Sequence, residues 1–257
     1  MRIRAFTLVE ILVVLGILAL LAALGVPAIQ GIQNKGLDAK SLSNLRQWGI
    51  GANLYMSDSN QELPYEGGEE NPTWAQLAQP QNERAWFNVV PPYVGMPALK
   101  DLTPEQRANL YTPRGGLIFQ CPRAKWEGNE ASASGPRFSY AFNSKIFSGP
   151  SRIMAFQLKD HGGPNMNRRL IGPSTVPMML GARASRREPK LMPGMNNDVG
   201  TALAYTRRAS ARTGGRVPIV FFDGSVRTFA PSEIMNSNGR NIPTSPVIWN
   251  PWNPDEP

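Results

Sequence analysis

Residues 11–29 read ILVVLGILALLAALGVPAI, 19 positions without a charge. About 20 apolar residues cross a hydrocarbon core as a helix, and no later segment approaches this length. The run predicts a single N-terminal anchor, or a signal that is removed, in front of one extramembrane domain. A mean hydropathy of -0.30 with 41% apolar residues excludes a multi-span protein. Arg2 and Arg4 precede the run, and Lys35, Asp38, Lys40 and Arg46 follow it, so charge asymmetry does not orient it. Two features favour a retained anchor over a cleaved signal. The nearest approach to an Ala-x-Ala cut site is Ala23-Leu24-Gly25. Glu10 also stands at the head of the apolar stretch, where a carboxylate costs on the order of 3 kcal/mol on insertion scales and demands a partner.

The string Arg4-Ala5-Phe6-Thr7-Leu8-Val9-Glu10, followed by that run, resembles the N-terminus of type IV prepilins and type II secretion pseudopilins. The resemblance covers residues 2–30. It implies peptidase cleavage between Ala5 and Phe6, N-methylation of Phe6, and assembly through Glu10 as the fifth residue of the mature chain. Pro27 then falls where family members often bend the helix. The residue before the cut is usually Gly; here it is Ala5. An unpaired buried charge is costly and a paired one tolerable. In a stack of helices, the free amine of Phe6 on a neighbouring copy would therefore neutralise Glu10 and set the axial register. The competing role for Glu10 is to snorkel to a membrane interface.

Leu42, Leu45, Trp48, Ala52 and Tyr55 recur at helical spacing, so the helix is expected to run on to Ser57 before Ser57-Asp58-Ser59-Asn60 and Pro64 end it. Trp48 and Tyr55 are large anchors, which favours packing of this stripe on the protein's own domain. Short helices are expected at 71–78, at 86–90 and at 104–111, the last from Thr103-Pro104-Glu105-Gln106. The later half reads as strands: 152–158, then 217–222 and 225–229 around the hairpin turn Asp223-Gly224. The tail from Asn241 reads as an extended surface arm. A second resemblance, on LIFQCP, FSYAFN and VFFDGSV in order, is to prepilin-like proteins with a C-terminal His-x9-Asp-Gly motif. Thr213 occupies the His position here.

Little in the chain suggests catalysis. The one Cys, Cys121, excludes an internal disulfide, and the one His, His161, excludes a His-based metal cluster. Asp160-His161 lies in a Gly/Pro loop with no Gly-x-Ser-x-Gly elbow, so a surface His is the favoured reading over a triad member. Asn196, Asn197 and Asp198 carry oxygen ligands suited to calcium, but a plain turn is the favoured reading there too. No cofactor and no resident metal are expected. The formal charge is +8, or +6 without Arg2 and Arg4 of the leader, and nine Lys/Arg against three acids between 183 and 227 equal that +6. Residues 58–83 hold acids and no Lys or Arg. A solvated basic face, contact with the acidic segment of an adjacent subunit, and nucleic acid are expected in that order; only Tyr205 interleaves the arginines.

These readings combine into one expectation, an α+β pilin-like fold. A transmembrane anchor at 6–29 would follow a leader at 1–5, continue as a stem over 30–58, and pack on a small antiparallel sheet with Pro/Gly-rich inserts at 59–240. The chain would be single-pass in the inner membrane, its N-terminus cytoplasmic and its domain periplasmic. The implied partners are a prepilin peptidase, sister pilin or pseudopilin subunits, an inner-membrane assembly platform and membrane lipid, with nucleic acid last. The role would be structural, not enzymatic. The alternative is an anchored extracytoplasmic binding domain that does not polymerise, including a DNA-uptake minor pilin; an anchored hydrolase using His161 ranks third.

Overall fold

The computed structural model describes residues 7–69, 71–112, 117–130, 133–148, 173–204, 206–242 and 244–251; the side chains of 24–28 also lie outside the description. The first helix, α1, is one element from Leu8 to Asp58, 51 residues, or about 77 Å at 1.5 Å per residue. Thr7 caps it. Its C-terminus closes where Asn60 and Gln61 take positive φ values of 52° and 64° and the Gln61 N–H turns back to Met56 O at 2.7 Å.

The helix has two unlike halves. From Leu8 to Gly36 every described side chain is exposed. From Ser41 onward one face enters the core, with Leu45, Trp48, Ala52, Tyr55 and Met56 buried. Trp48 meets Trp86 and Phe119 edge-on at centroid distances of 5.0 and 5.6 Å, while its indole N–H donates to Ile118 O at 2.9 Å. That satisfies the polar end of an otherwise apolar anchor. Gly49 and Gly51 let the helix approach its neighbours. A Cβ on Gly49 would stand 2.6 Å from Val220 Cγ2, and one on Gly51 would stand 2.9 Å from Val90 Cγ1.

Short helices follow: α2 (Pro80–Glu83), α3 (Trp86–Val89) and α4 (Pro104–Asn109). The capping box expected at Thr103 and Gln106 is present, but α4 stops two residues early. Of the helix expected at 71–78, only a 3-10 turn at Gln76–Ala78 forms, and Pro80 opens α2.

The five strands are β1 (Tyr140–Asn143), β2 (Pro177–Gly181), β3 (Leu203–Ala204), β4 (Val217–Phe221) and β5 (Val226–Phe229), in spatial order β3-β1-β2-β4-β5. Successive residues face opposite sides. Phe142, Met179 and Val220 join the core under α1. Ala141, Leu180 and Ile219 join a second core with Val247 and Trp249. Both faces being covered, β4 reads as a nearly continuous apolar run, VPIVF, without polar alternation. A last helical turn, α5 (Pro231–Ile234), buries Ile234 in the second core.

Several expectations need correction. The sheet is mixed: β3 pairs parallel to β1 (Phe142 with Leu203), and the other pairings are antiparallel. β2 ends at Gly181 beside Tyr140, the start of β1. The chain re-enters at the free edge of β1 from that same end, the Phe138 N–H bonding Gly200 O at 3.1 Å, and so runs alongside it in the same direction. The transmembrane part of the expected fold is also overturned, for among the described residues no helix is long and apolar enough to cross a membrane. The expected single-pass inner-membrane placement, with a periplasmic domain, is withdrawn on the same finding. The tail is no surface arm. Val247, Ile248 and Trp249 are buried, and Asn143 Nδ2 donates to Trp249 O at 2.8 Å. Burying an indole and two branched side chains outweighs the prolines' bias toward an exposed extended chain. The strand expected at 152–158 lies outside the described residues.

Candidate assembly site

Glu10, the residue singled out at the head of the apolar run, makes a specific local arrangement. Its Oε2 accepts from the Thr7 N–H at 2.8 Å and the Thr7 hydroxyl at 2.9 Å, while the Glu10 N–H donates to Thr7 Oγ1 at 3.3 Å. This is a capping box, satisfying two of the orphan N–H groups at the helix start. The spacing Thr7-x-x-Glu10 before an apolar run is its sequence signal, a local role beside the two expected for Glu10, an amine on another copy and a membrane interface. Oε1 makes no bond within the cap. Ala5 and Phe6, the expected cleavage pair, lie outside the described residues, as does the side chain of Pro27 at the expected bend.

Behind Glu10 the helix presents apolar groups on all sides. Leu8 is 77% exposed, Leu12 64%, Leu21 60% and Ile32 70%. Residues at 8, 9, 11, 12, 13, 14 and 15 cannot share one face of a 3.6-residue repeat. A helix that is apolar all round is one whose surface is normally covered, and the chain's own sheet does not reach it.

The second expected feature, the arginine-rich segment, is largely internal. Arg212 Nη1 reaches Glu188 Oε1 at 2.8 Å with side-chain exposures of 6% and 2%. Glu188 also accepts from the Lys125 N–H (3.0 Å), the Ala184 N–H (3.2 Å) and Ser210 Oγ (2.9 Å). Arg212 also donates to the Ser139 and Ala182 carbonyls. Burial opposes the Arg212 charge, but the nearby Cys121 and Glu188 outweigh it and hold the guanidinium above its ordinary pKa. Arg183 donates to Glu188 O and Asn196 O, and desolvation lowers its pKa against the pull of Glu188. Arg208 pairs with Asp198 at 2.8 Å and Arg216 with Glu233 at 2.9 Å. Arg227 lies over the Phe221 ring at 3.7 Å. Of the lysines and arginines in this segment, Arg186, Arg187 and Lys190 are exposed. Tyr205 lies outside the described residues.

The remaining candidates disperse. Asp198, one of the three calcium-type residues, gives Oδ2 to Arg208 and to Asn196 Nδ2 (2.9 Å). Among the described residues no cluster of three His, Cys, Asp or Glu side chains can hold a metal. Cys121 is buried, its Sγ 3.2 Å from Ser41 Oγ, which is itself 3.0 Å from the Tyr140 hydroxyl. This polar knot ties α1 to the sheet. Asp223 and Gly224 do form the β4–β5 turn, though with a longer loop than the two-residue form expected. The Gly224 N–H bonds Phe221 O, only Gly224 takes positive φ (78°), and the Ser225 N–H bonds Asp223 Oδ1. The loop sits against α1 near Asn53, whose Nδ2 donates to Phe222 O at 3.1 Å. It is therefore some 43 residues along the helix from Glu10, about 65 Å away. Thr213 is buried with no hydrogen-bond partner for its hydroxyl. Asp160 and His161 lie outside the described residues. No family model, no curated protein and no solved structure matches this chain.

Proposed function

We propose that the chain is a pilin-like structural subunit that polymerises through its N-terminal helix into a short filament. The observation that carries this reading is the half-helix at 8–32, apolar in its first part on every side, its described side chains left uncovered by the other described residues. Fully burying one large apolar side chain is worth about 1.5–3 kcal/mol. The 13 large exposed hydrophobics from Leu8 to Ile32 thus offer of the order of 20 kcal/mol before association costs. Stems of other copies present the same surface and are the natural cover. Cleavage between Ala5 and Phe6 by a prepilin-type peptidase would place a new amine on Phe6, one residue before the cap Thr7 of Glu10's helix. The amine of a neighbouring copy could then bond Glu10 Oε1. The role is mechanical, and the chain is the substrate of its processing enzyme.

N-terminal sequencing of the native protein is expected to begin at Phe6. Glu10→Val is expected to abolish filaments while the globular part stays folded by near-ultraviolet circular dichroism. A native chain that keeps residues 1–5, together with a Glu10→Val variant that assembles like the parent, refutes the reading.

A further inference from the structure

The segment 118–123 runs down α1 in the opposite direction, and its contacts mark the descent. Trp48 reaches Ile118 O (2.9 Å), Asn44 reaches Gln120 O (3.2 Å), Ser41 meets Cys121 Sγ (3.2 Å), and Arg123 pairs with Asp38 (3.3 Å) and donates to Asn34 O (3.3 Å). Lys125 follows at the stem end of the globular part. The loop at 185–190 is fastened to it: Ser185 Oγ donates to Lys125 O, the Arg187 N–H donates to Ser185 Oγ at 3.1 Å, and the Arg186 N–H donates to Glu127 Oε1 at 3.1 Å. Lys125, Arg186, Arg187 and Lys190 are exposed, and none has a side-chain ion-pair partner among the described residues.

The opposite end of the domain carries the opposite sign. At the level of Tyr55, Arg84 approaches the Tyr55 hydroxyl at 3.5 Å and pairs with Glu62 at 2.9 Å. The Tyr65 N–H bonds Arg84 O at 2.8 Å and the Gly68 N–H bonds Asn82 Oδ1 at 2.9 Å, which lays 65–68 along 82–84. Asp58, Glu69 and Glu83 are exposed on this shoulder. From Asp38 to Tyr55 is 17 residues of continuous helix, so the two charged ends stand about 26 Å apart along the stem.

We propose that the globular part is charge-polarised along the stem axis, and that the basic loop at 185–190 of one copy docks on the acidic shoulder at 58–83 of the next. The occupant of each surface is a second copy of this chain. Opposite patches steer encounter and suppress wrong registers. Exposed charges of opposite sign at the two ends of one domain, aligned with the axis along which stems would slide, are complementary between staggered copies. The proposal rests on the filament reading and adds the contact that selects its axial stagger.

The test uses full-length chains carrying Arg186→Glu with Arg187→Glu, Glu69→Lys with Glu83→Lys, or all four, with sedimentation and electron microscopy scoring assembly. Each one-sided reversal is expected to cut the assembled fraction by about tenfold. The four-fold charge swap, and an equimolar mixture of the two one-sided variants, are expected to restore partial assembly. All these sites are exposed, so circular dichroism is expected to match the parent. If the reversals assemble normally while Glu10→Val does not, the docking contact is wrong and the filament stands. The docking contact is also overturned if the charge swap fails to rescue two folded one-sided variants. If Glu10→Val assembles too and the native chain keeps residues 1–5, the filament reading itself falls.

Discussion

Removing one member of the Arg212–Glu188 pair is expected to be among the costliest changes in the globular part. Arg212→Leu deletes the 2.8 Å ion pair and leaves Glu188 a buried carboxylate held only by two N–H groups and Ser210 Oγ. It also strips a donor from the Ala182 carbonyl and from the Ser139 carbonyl, the latter keeping the Ala182 N–H at 2.9 Å. Breaking a buried pair from one side costs about 3–5 kcal/mol, while an orphaned buried acceptor costs about 1–3 kcal/mol. The contributions overlap, so we expect about 4 kcal/mol in total. For a domain of this size that lowers Tm by roughly 8–16 °C. Equilibrium urea unfolding followed by tryptophan fluorescence reads the change directly, with Glu188→Leu and the double variant completing a cycle. The double variant should recover part of the loss, because an apolar pair leaves no uncompensated charge. A cost below about 1 kcal/mol for Arg212→Leu would mean that the pair is solvated. The assignment of this arginine to the fold, rather than to a binding face, would then be wrong.

Gly49→Ala should destabilise despite a helix-propensity gain of about 1 kcal/mol. Its Cβ meets Val220 Cγ2 at 2.6 Å, and overpacking costs about 1–3 kcal/mol; adding Val220→Ala should relieve it in the same unfolding assay. Gly16→Ala meets nothing within 4 Å and should stabilise the stem helix, seen as a rise in helical circular dichroism. Thr7→Ala should cost about 1 kcal/mol of helix stability by removing the cap, read as fraying in amide exchange at the first turn. Burial pushes the Tyr111 hydroxyl up to about 12 and raises Tyr140 as well. The neutral forms therefore support folding fully below about pH 10, and that support is lost as pH rises through the folded values. Stability should be flat to about pH 9 and fall beyond it, less steeply in Tyr111→Phe; an unchanged slope would place Tyr111 in solvent.

The strongest local signals were legible in the residue order. The stripe Leu45-Trp48-Ala52-Tyr55 identified the packed half of α1, Thr103-x-x-Gln106 the start of α4, and Asp223-Gly224 the turn between β4 and β5. Each rests on interactions within a few residues or on one periodicity, which sequence records directly. Three features were not legible. The parallel placement of β3 follows from where β2 ends in space. The burial of Val247–Trp249 depends on a sheet face left uncovered by α1. The fate of the arginines depends on carboxylates and carbonyls brought in from distant segments, Glu188 for Arg212 and Asp198 for Arg208. The sequence alone determined that the chain carries an apolar stem headed by a glutamate. Only the tertiary structure decided which charges remain free at the surface, because pairing inside a fold is set by distance in space, and separation along the chain says nothing about it.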